Sequence, residues 1–167
     1  NVKIGREGAT MFKEEGDYKT PLGLFKLGPA FGTLAVESNY PYIKITPNSY
    51  WVDDVASPFY NKWVEVEGNL DYPYDYIVNA NVVAWASAEK LIEYKSQYEL
   101  GVVIEYNTAG AIAGTIKGKG SAIFLHVVQN ENTAGCIALP LPALKFIVNW
   151  LDVNKNPHIL IKSNKKN

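Results

Sequence analysis

Gly120-Ser121-Ala122-Ile123-Phe124-Leu125-His126-Val127-Val128, then Gln129-Asn130-Glu131-Asn132, then Thr133-Ala134-Gly135-Cys136-Ile137-Ala138-Leu139 is the stretch that decides how this chain is read. The first run is apolar and opens after a glycine, as a buried strand does. Alternation puts Phe124, His126 and Val128 on one face, with Ile123, Leu125 and Val127 on the other. The polar middle is built from turn formers. Cys136 is the chain's one cysteine and His126 one of its two histidines. Ten residues fully extended would span roughly 33 Å, so the pair can meet only if the chain turns back. The turn residues allow that, with Cys136 returned opposite the strand.

A thiol with an ordinary pKa of roughly 8.5 is only a few per cent thiolate at neutral pH. A neighbouring imidazole that takes the proton makes it a nucleophile. Gly135 can turn backbone N–H groups toward a developing oxyanion. At this level two readings stay open: a Cys–His acyl-transfer site, or a buried inert thiol beside a structurally satisfied histidine.

Around this segment, short strands are expected at 25–27, 42–46, 63–66, 102–106, 122–128 and 158–161. Two helices are expected. One runs from Ala88 to about Tyr98 with Ser87 as cap, on the spacing of Leu91, Tyr94, Lys95 and Tyr98. The other runs from about Pro142 to Leu151, with Leu144, Ile147, Val148 and Leu151 as its apolar stripe. The stretch 69–76 reads as a loop, Gly118-Lys119-Gly120 as a turn, and 162–167 as a solvated tail. The expected fold is mainly β, two packed sheets (β-sandwich-like) or an open barrel with about two helices. Strict β-α alternation is missing, which argues against a doubly wound sheet.

The length of 167 residues suits one domain spanning 1–167. A net charge of −1 offers no bulk attraction to nucleic acid or anionic membrane. No apolar run reaches the ~18 residues of a membrane span. One cysteine and two histidines make a structural zinc site a poor expectation, so neither metal nor cofactor is expected. Asp53-Asp54 would point to opposite faces if extended, which disfavours paired-carboxylate hydrolysis. Gly114, Gly118 and Gly120 form no phosphate-binding pattern. The aromatics between Tyr40 and Tyr76 are read first as core and loop packing, and second as a sugar- or peptide-binding surface. The start at Asn1 reads as the trimmed edge of a longer precursor.

With these residues in view, Gly120–His126 and Thr133–Leu139 resemble the catalytic region of the L,D-transpeptidase (YkuD-type) family. Glu15-Gly16-Asp17-Tyr18-Lys19-Thr20-Pro21-Leu22-Gly23-Leu24-Phe25 is similar to its early G-D-x-x-T-P-x-G-x-F signature. Trp51-Val52-Asp53-Asp54 with Ser57, Tyr60 and Asn61, and the ending Trp150-Leu151, Pro157 and Ile159, resemble one branch of it. The resemblance implies a β-sandwich-like domain outside the cytoplasm, in periplasm or wall, acting on peptidoglycan stem peptides. Cys136 would attack the carbonyl of the third stem residue and release D-alanine, with His126 as base. An amine would then resolve the thioester into a 3→3 cross-link. The family usually orients its histidine through a main-chain carbonyl. Gly135 would support the oxyanion, and Thr133, Ser121 and Phe124 are the groove candidates. Carbapenem-type compounds would be covalent inhibitors.

This sequence departs from the family's Ser/Thr-His-Gly-Cys pattern. Ala134 stands at the His position, Ala138 at the Arg/Asn position, and the His126–Cys136 loop is short. These changes bear on groove and acceptor, so an L,D-carboxypeptidase using water is the near alternative. A wall-binding β module with a structural Cys136 is the non-enzymatic one. Other cysteine peptidases and amidases place Cys before His in the chain, the reverse of the order here.

Overall fold

A computed structural model describes residues 2–163, and the part of the expected solvated tail from Asn164 onward lies outside them. In chain order the strands are β1 (Ala9–Thr10), β2 (Thr20–Pro21), β3 (Gly23–Gly32), β4 (Tyr42–Lys44), β5 (Ser49–Val52) and β6 (Trp63–Val66). They continue as β7 (Ile77–Ala80), β8 (Ala88–Lys90), β9 (Gly101–Ile104), β10 (Phe124–Val127), β11 (Ile137–Leu139) and β12 (His158–Ile161). The one α-helix among the described residues is α1 (Leu141–Trp150). The mainly β expectation holds, and the expected strands at 63–66 and 158–161 are met residue for residue.

The main sheet runs β11-β10-β9-β3-β12, with β4 also on β3. A second sheet runs β7-β6-β5-β8, and β1-β2 form a small parallel ladder. All four residues of β9 and of β10 are buried, because both faces of the main sheet are covered. Ile123, Leu125 and Val127 pack with Leu27, Val102, Leu144 and Val148 on the helix side. Phe124 lies with Phe31, Trp51, Trp63 and Tyr98 on the other side, where the second sheet contributes. Edge-on contacts of the Phe124 ring with Phe31, Trp51 and Tyr98 (centroids 5.1, 4.8 and 5.9 Å) lock this layer. Such pairs each add about 0.5–1.5 kcal/mol beyond area burial.

The helix expected at 142–151 is α1, shifted by one residue, with Pro142 in its first turn and Leu144 and Val148 fully buried. The helix expected at 88–98 is not there. Ala88–Lys90 instead pairs antiparallel with Tyr50–Val52, and only a 3-10 turn follows at Leu91–Tyr94. Ser87 spends its hydroxyl on Asp53 rather than on a cap. The free edge of β5 thus outcompetes a helical spacing that had no cap. The loop at 69–76 is present; Tyr72 and Tyr74 stack there at 5.5 Å, while Tyr76 is fully buried. Most of the aromatics between Tyr40 and Tyr76 are core or half-buried, in line with the packing reading.

Candidate active site

β10 and β11 are parallel, with Leu125 opposite Ile137 and His126 opposite Ala138. The loop therefore crosses back to the start of β10 and sets Cys136 level with Phe124. Cys136 and His126 share one face of neighbouring strands, two residues apart along the register. Both are buried, at 8% and 4% exposure. They are neighbours rather than a hydrogen-bonded pair. The Cys136 thiol donates to the Ala122 carbonyl (3.1 Å), and its sulfur accepts the Phe124 N–H (3.4 Å). His126 Nδ1 lies 2.9 Å from the Val127 carbonyl. A carbonyl can only accept, so Nδ1 carries the proton and Nε2 is left basic in the neutral ring. Tyr98 stands edge-on to the imidazole at 5.8 Å.

The segment leading into β10 is held in an unusual shape. Ala122 has φ +52, a left-handed conformation that a residue with a Cβ adopts only under constraint. Asn61 supplies the constraint. Its Oδ1 accepts the Ala122 N–H (3.1 Å) and the Trp51 indole N–H (2.9 Å), and its Nδ2 donates to the Asn107 carbonyl (2.7 Å). Asn61 is 1% exposed, so every one of these bonds is shielded from water. It thereby aims the carbonyl that receives the thiol.

The early motif reaches the same place. Asp17 accepts from Lys13 Nζ (2.6 Å) and from the Glu14 and Lys19 amides (2.9 Å each). Burial works to raise its carboxyl, but these bonds win and hold it below the ordinary carboxylate range. The buried Lys13 stem runs beside Gly120, where a Cβ would come within 2.9 Å of Lys13 Cγ. At Gly135 (φ +152) a Cβ would sit 3.0 Å from the Lys19 carbonyl. The two distant motifs are thus one packed unit, and the glycines are what let them approach.

Cys136 lines a cleft of about 210 Å³ with Lys13, Ser121, Ala134 and three carboxylates, Glu15, Asp53 and Glu89. His126 and Thr133 line a separate cleft of about 550 Å³, walled by 93–97 and 129–132. Of the sequence-predicted site residues, Cys136, Gly135 and Ser121 come together in the first cleft. Thr133 braces it from outside, donating to the Cys136 carbonyl (2.6 Å) and accepting the Gly135 N–H (3.2 Å). Phe124 does not line the groove. Its ring is wholly in the core, and it meets the site through its backbone N–H.

Burial, then the Glu89 charge, pushes the Cys136 thiol up to about 12 against smaller opposing effects of the Phe124 N–H and Lys13. Burial also lowers His126, against the Val127 bond. The resting pair is therefore neutral thiol and neutral imidazole, not an ion pair. The Glu89 carboxyl is itself pushed up to about 7 by desolvation, although part of the residue reaches solvent; Tyr98 lowers it and Asp53 and Glu15 raise it.

A Cys–His pair seated by a G-D-x-x-T-P motif invites comparison with known proteins. The family model of the L,D-transpeptidase catalytic domain matches residues 1–160. The chain belongs to this family. No curated protein and no solved structure matches it. L,D-transpeptidase-family proteins are cysteine-dependent acyltransferases acting on peptidoglycan peptides. In the sequence Asn61 and Glu15 stand in motifs without an assigned role and Asp53 is a candidate only for hydrolysis, while the helical spacing at 88–98 hides Glu89 and Tyr98 as site residues. Asn61 offered the one usable signal, an asparagine between aromatic strands where a buried amide needs several partners.

Proposed function

We propose that this L,D-transpeptidase domain transfers the acyl group of a tetrapeptide stem through Cys136, outside the cytoplasm. His126 Nε2 takes the thiol proton as sulfur attacks the third-residue carbonyl. The S–C bond forms, the C–N bond to D-alanine breaks, and the imidazolium returns the proton to the leaving amine. An acceptor amine then attacks the thioester, loses its proton to His126, and releases the thiol with a 3→3 cross-link. The observation that carries this reading is the shared face of Cys136 and His126 on adjacent strands, with Nδ1 committed to Val127. The thiol must leave the Ala122 carbonyl and rotate toward Nε2 on acylation; catalytic hydrogen bonds are often loose before substrate binds.

Incubation with a purified tetrapeptide stem tests it. The mass of the chain should rise by the acyl group at Cys136, and Cys136→Ala should abolish that adduct and all turnover while the domain stays folded. A carbapenem should label the same thiol. Dimers among the products mean transfer, and tripeptide alone means hydrolysis by the carboxypeptidase route. Wild-type turnover in Cys136→Ala would sink the mechanism.

A further inference from the structure

Three carboxylates from three separate segments line the cleft that Cys136 also lines, and each is held by a hydroxyl of the fold. Tyr60 donates to Glu15, Ser87 to Asp53, and Tyr98 to Glu89. In each pair the hydroxyl engages one carboxylate oxygen. The nearest cation, Lys13, is already bonded to Asp17 and to the Glu14 carbonyl. The cleft is therefore anionic overall, a poor setting for a thiolate but a good one for a cation. A second feature points the same way. Ser121 lines this cleft, is more than nine-tenths buried, and its hydroxyl has no hydrogen-bond partner within the protein. Buried hydroxyls are nearly always paired, so one left open at a ligand cleft awaits a partner. An ammonium group brings three donors. It would satisfy the Ser121 oxygen and at least two carboxylates at once. A volume of about 210 Å³ holds a short alkylammonium arm but not a whole peptide.

We propose that Glu15, Asp53, Glu89 and Ser121 form a subsite for a side-chain ammonium of the stem peptide, beside the thiol it acylates. This rests on the reading of the chain as a stem-peptide acyltransferase, and it narrows the donor to stems with a free amine on their third residue. The bound cation also offsets the acidic field that opposes sulfur ionisation. A stem whose side-chain amine is capped or absent would meet unpaired carboxylates and bind poorly.

The test needs no transfer activity. Cys136 is modified with three methanethiosulfonates, the cationic aminoethyl, the neutral methyl and the anionic sulfonatoethyl reagent, with rates normalised to a free thiol in solution. Clefts of one charge sign raise the arrival of opposite charge by roughly 10- to 1000-fold. We expect a cationic preference of roughly tenfold or more over the neutral reagent, with the anionic one slowest. Glu89→Gln and, separately, the half-buried Asp53→Asn should shrink that preference toward the free-thiol ratio, and Ser121→Ala should lower it less. Equal normalised rates in the wild-type protein would overturn the subsite. Acylation by a lysine-containing tetrapeptide is then compared with that by its Nε-acetyl form. Equal acylation by both overturns the assignment to the stem ammonium. A cationic preference with neither peptide acylated keeps the receptor and overturns the stem-peptide function instead.

Discussion

The two faces of β10 are made from one run of alternating residues and do opposite work. On the helix side Leu125 and Val127 pack into a mostly aliphatic cluster with Leu27, Val102, Leu144 and Val148. On the other side Phe124 and His126 face Tyr98 and Trp51, with Cys136 brought in from the next strand. One face is dry packing. The other is an aromatic layer that holds polar chemistry in low dielectric, where each unsatisfied or unpaired group matters more. Stability and reactivity are thus separated by a single residue step along the strand.

Substitutions on the two faces should therefore fail in different ways. His126→Ala should lower the acylation rate by about 10²- to 10⁴-fold, the range for loss of a general base. Single-turnover mass measurements would read it, and near-normal acylation would show that another group deprotonates the thiol. Leu125→Ala should lose about 2–5 kcal/mol in urea unfolding, with the acylation rate of the remaining folded protein nearly unchanged. A Leu125→Ala variant that is stable but slow would break the separation of faces. Asn61→Ala removes a buried amide that serves Ala122, Trp51 and Asn107, and about 1–3 kcal/mol is expected for each buried partner left open. Because it aims the Ala122 carbonyl, it should injure both stability and acylation, unlike either single-face variant.

The pH responses are smaller but have definite signs. With the Cys136 thiol pushed up to about 12, alkylation of the free protein by a neutral reagent should keep rising with pH well past the value where an ordinary thiol levels off. A plateau near the ordinary thiol value would mean that the resting site is an ion pair after all. For Glu89 the folded carboxyl, at about 7, holds its proton more tightly than the ordinary 4.5 of the unfolded chain. The stability this contributes is full below about 4.5 and is lost as pH rises through about 7. Glu89→Gln should flatten that part of the melting-temperature profile, and an unchanged slope would assign it to other groups.

Much of this protein was legible in one dimension. The alternation around His126, the strand at 158–161 and the stripe of α1 are local patterns, repeated every two residues or every three to four, and burial of one face is enough to enforce them. The Thr20-Pro21-Leu22-Gly23 and Gly135-Cys136 motifs announced the family because proline fixes its own φ and glycine admits backbone shapes and close approaches that other residues do not. Local pattern misled at 88–98. There the spacing of Leu91, Tyr94 and Tyr98 suits a helix, but the pairing partners on the edge of β5 lie 36–40 residues away in sequence and decided otherwise.

What only the tertiary structure decided is the environment of the thiol. The sequence by itself determined which sulfur and which imidazole this protein has, and on which strand face the imidazole stands. It carried no sign that β10 and β11 run parallel, which places Cys136 beside Phe124 instead of across from His126. Nor could it show that Glu15, Asp53 and Glu89, from segments more than thirty residues apart, converge on one cleft. Side-chain identity and periodicity are properties of neighbours along the chain. The field at a buried sulfur is a sum over neighbours in space, and it exists only once the sheets have packed.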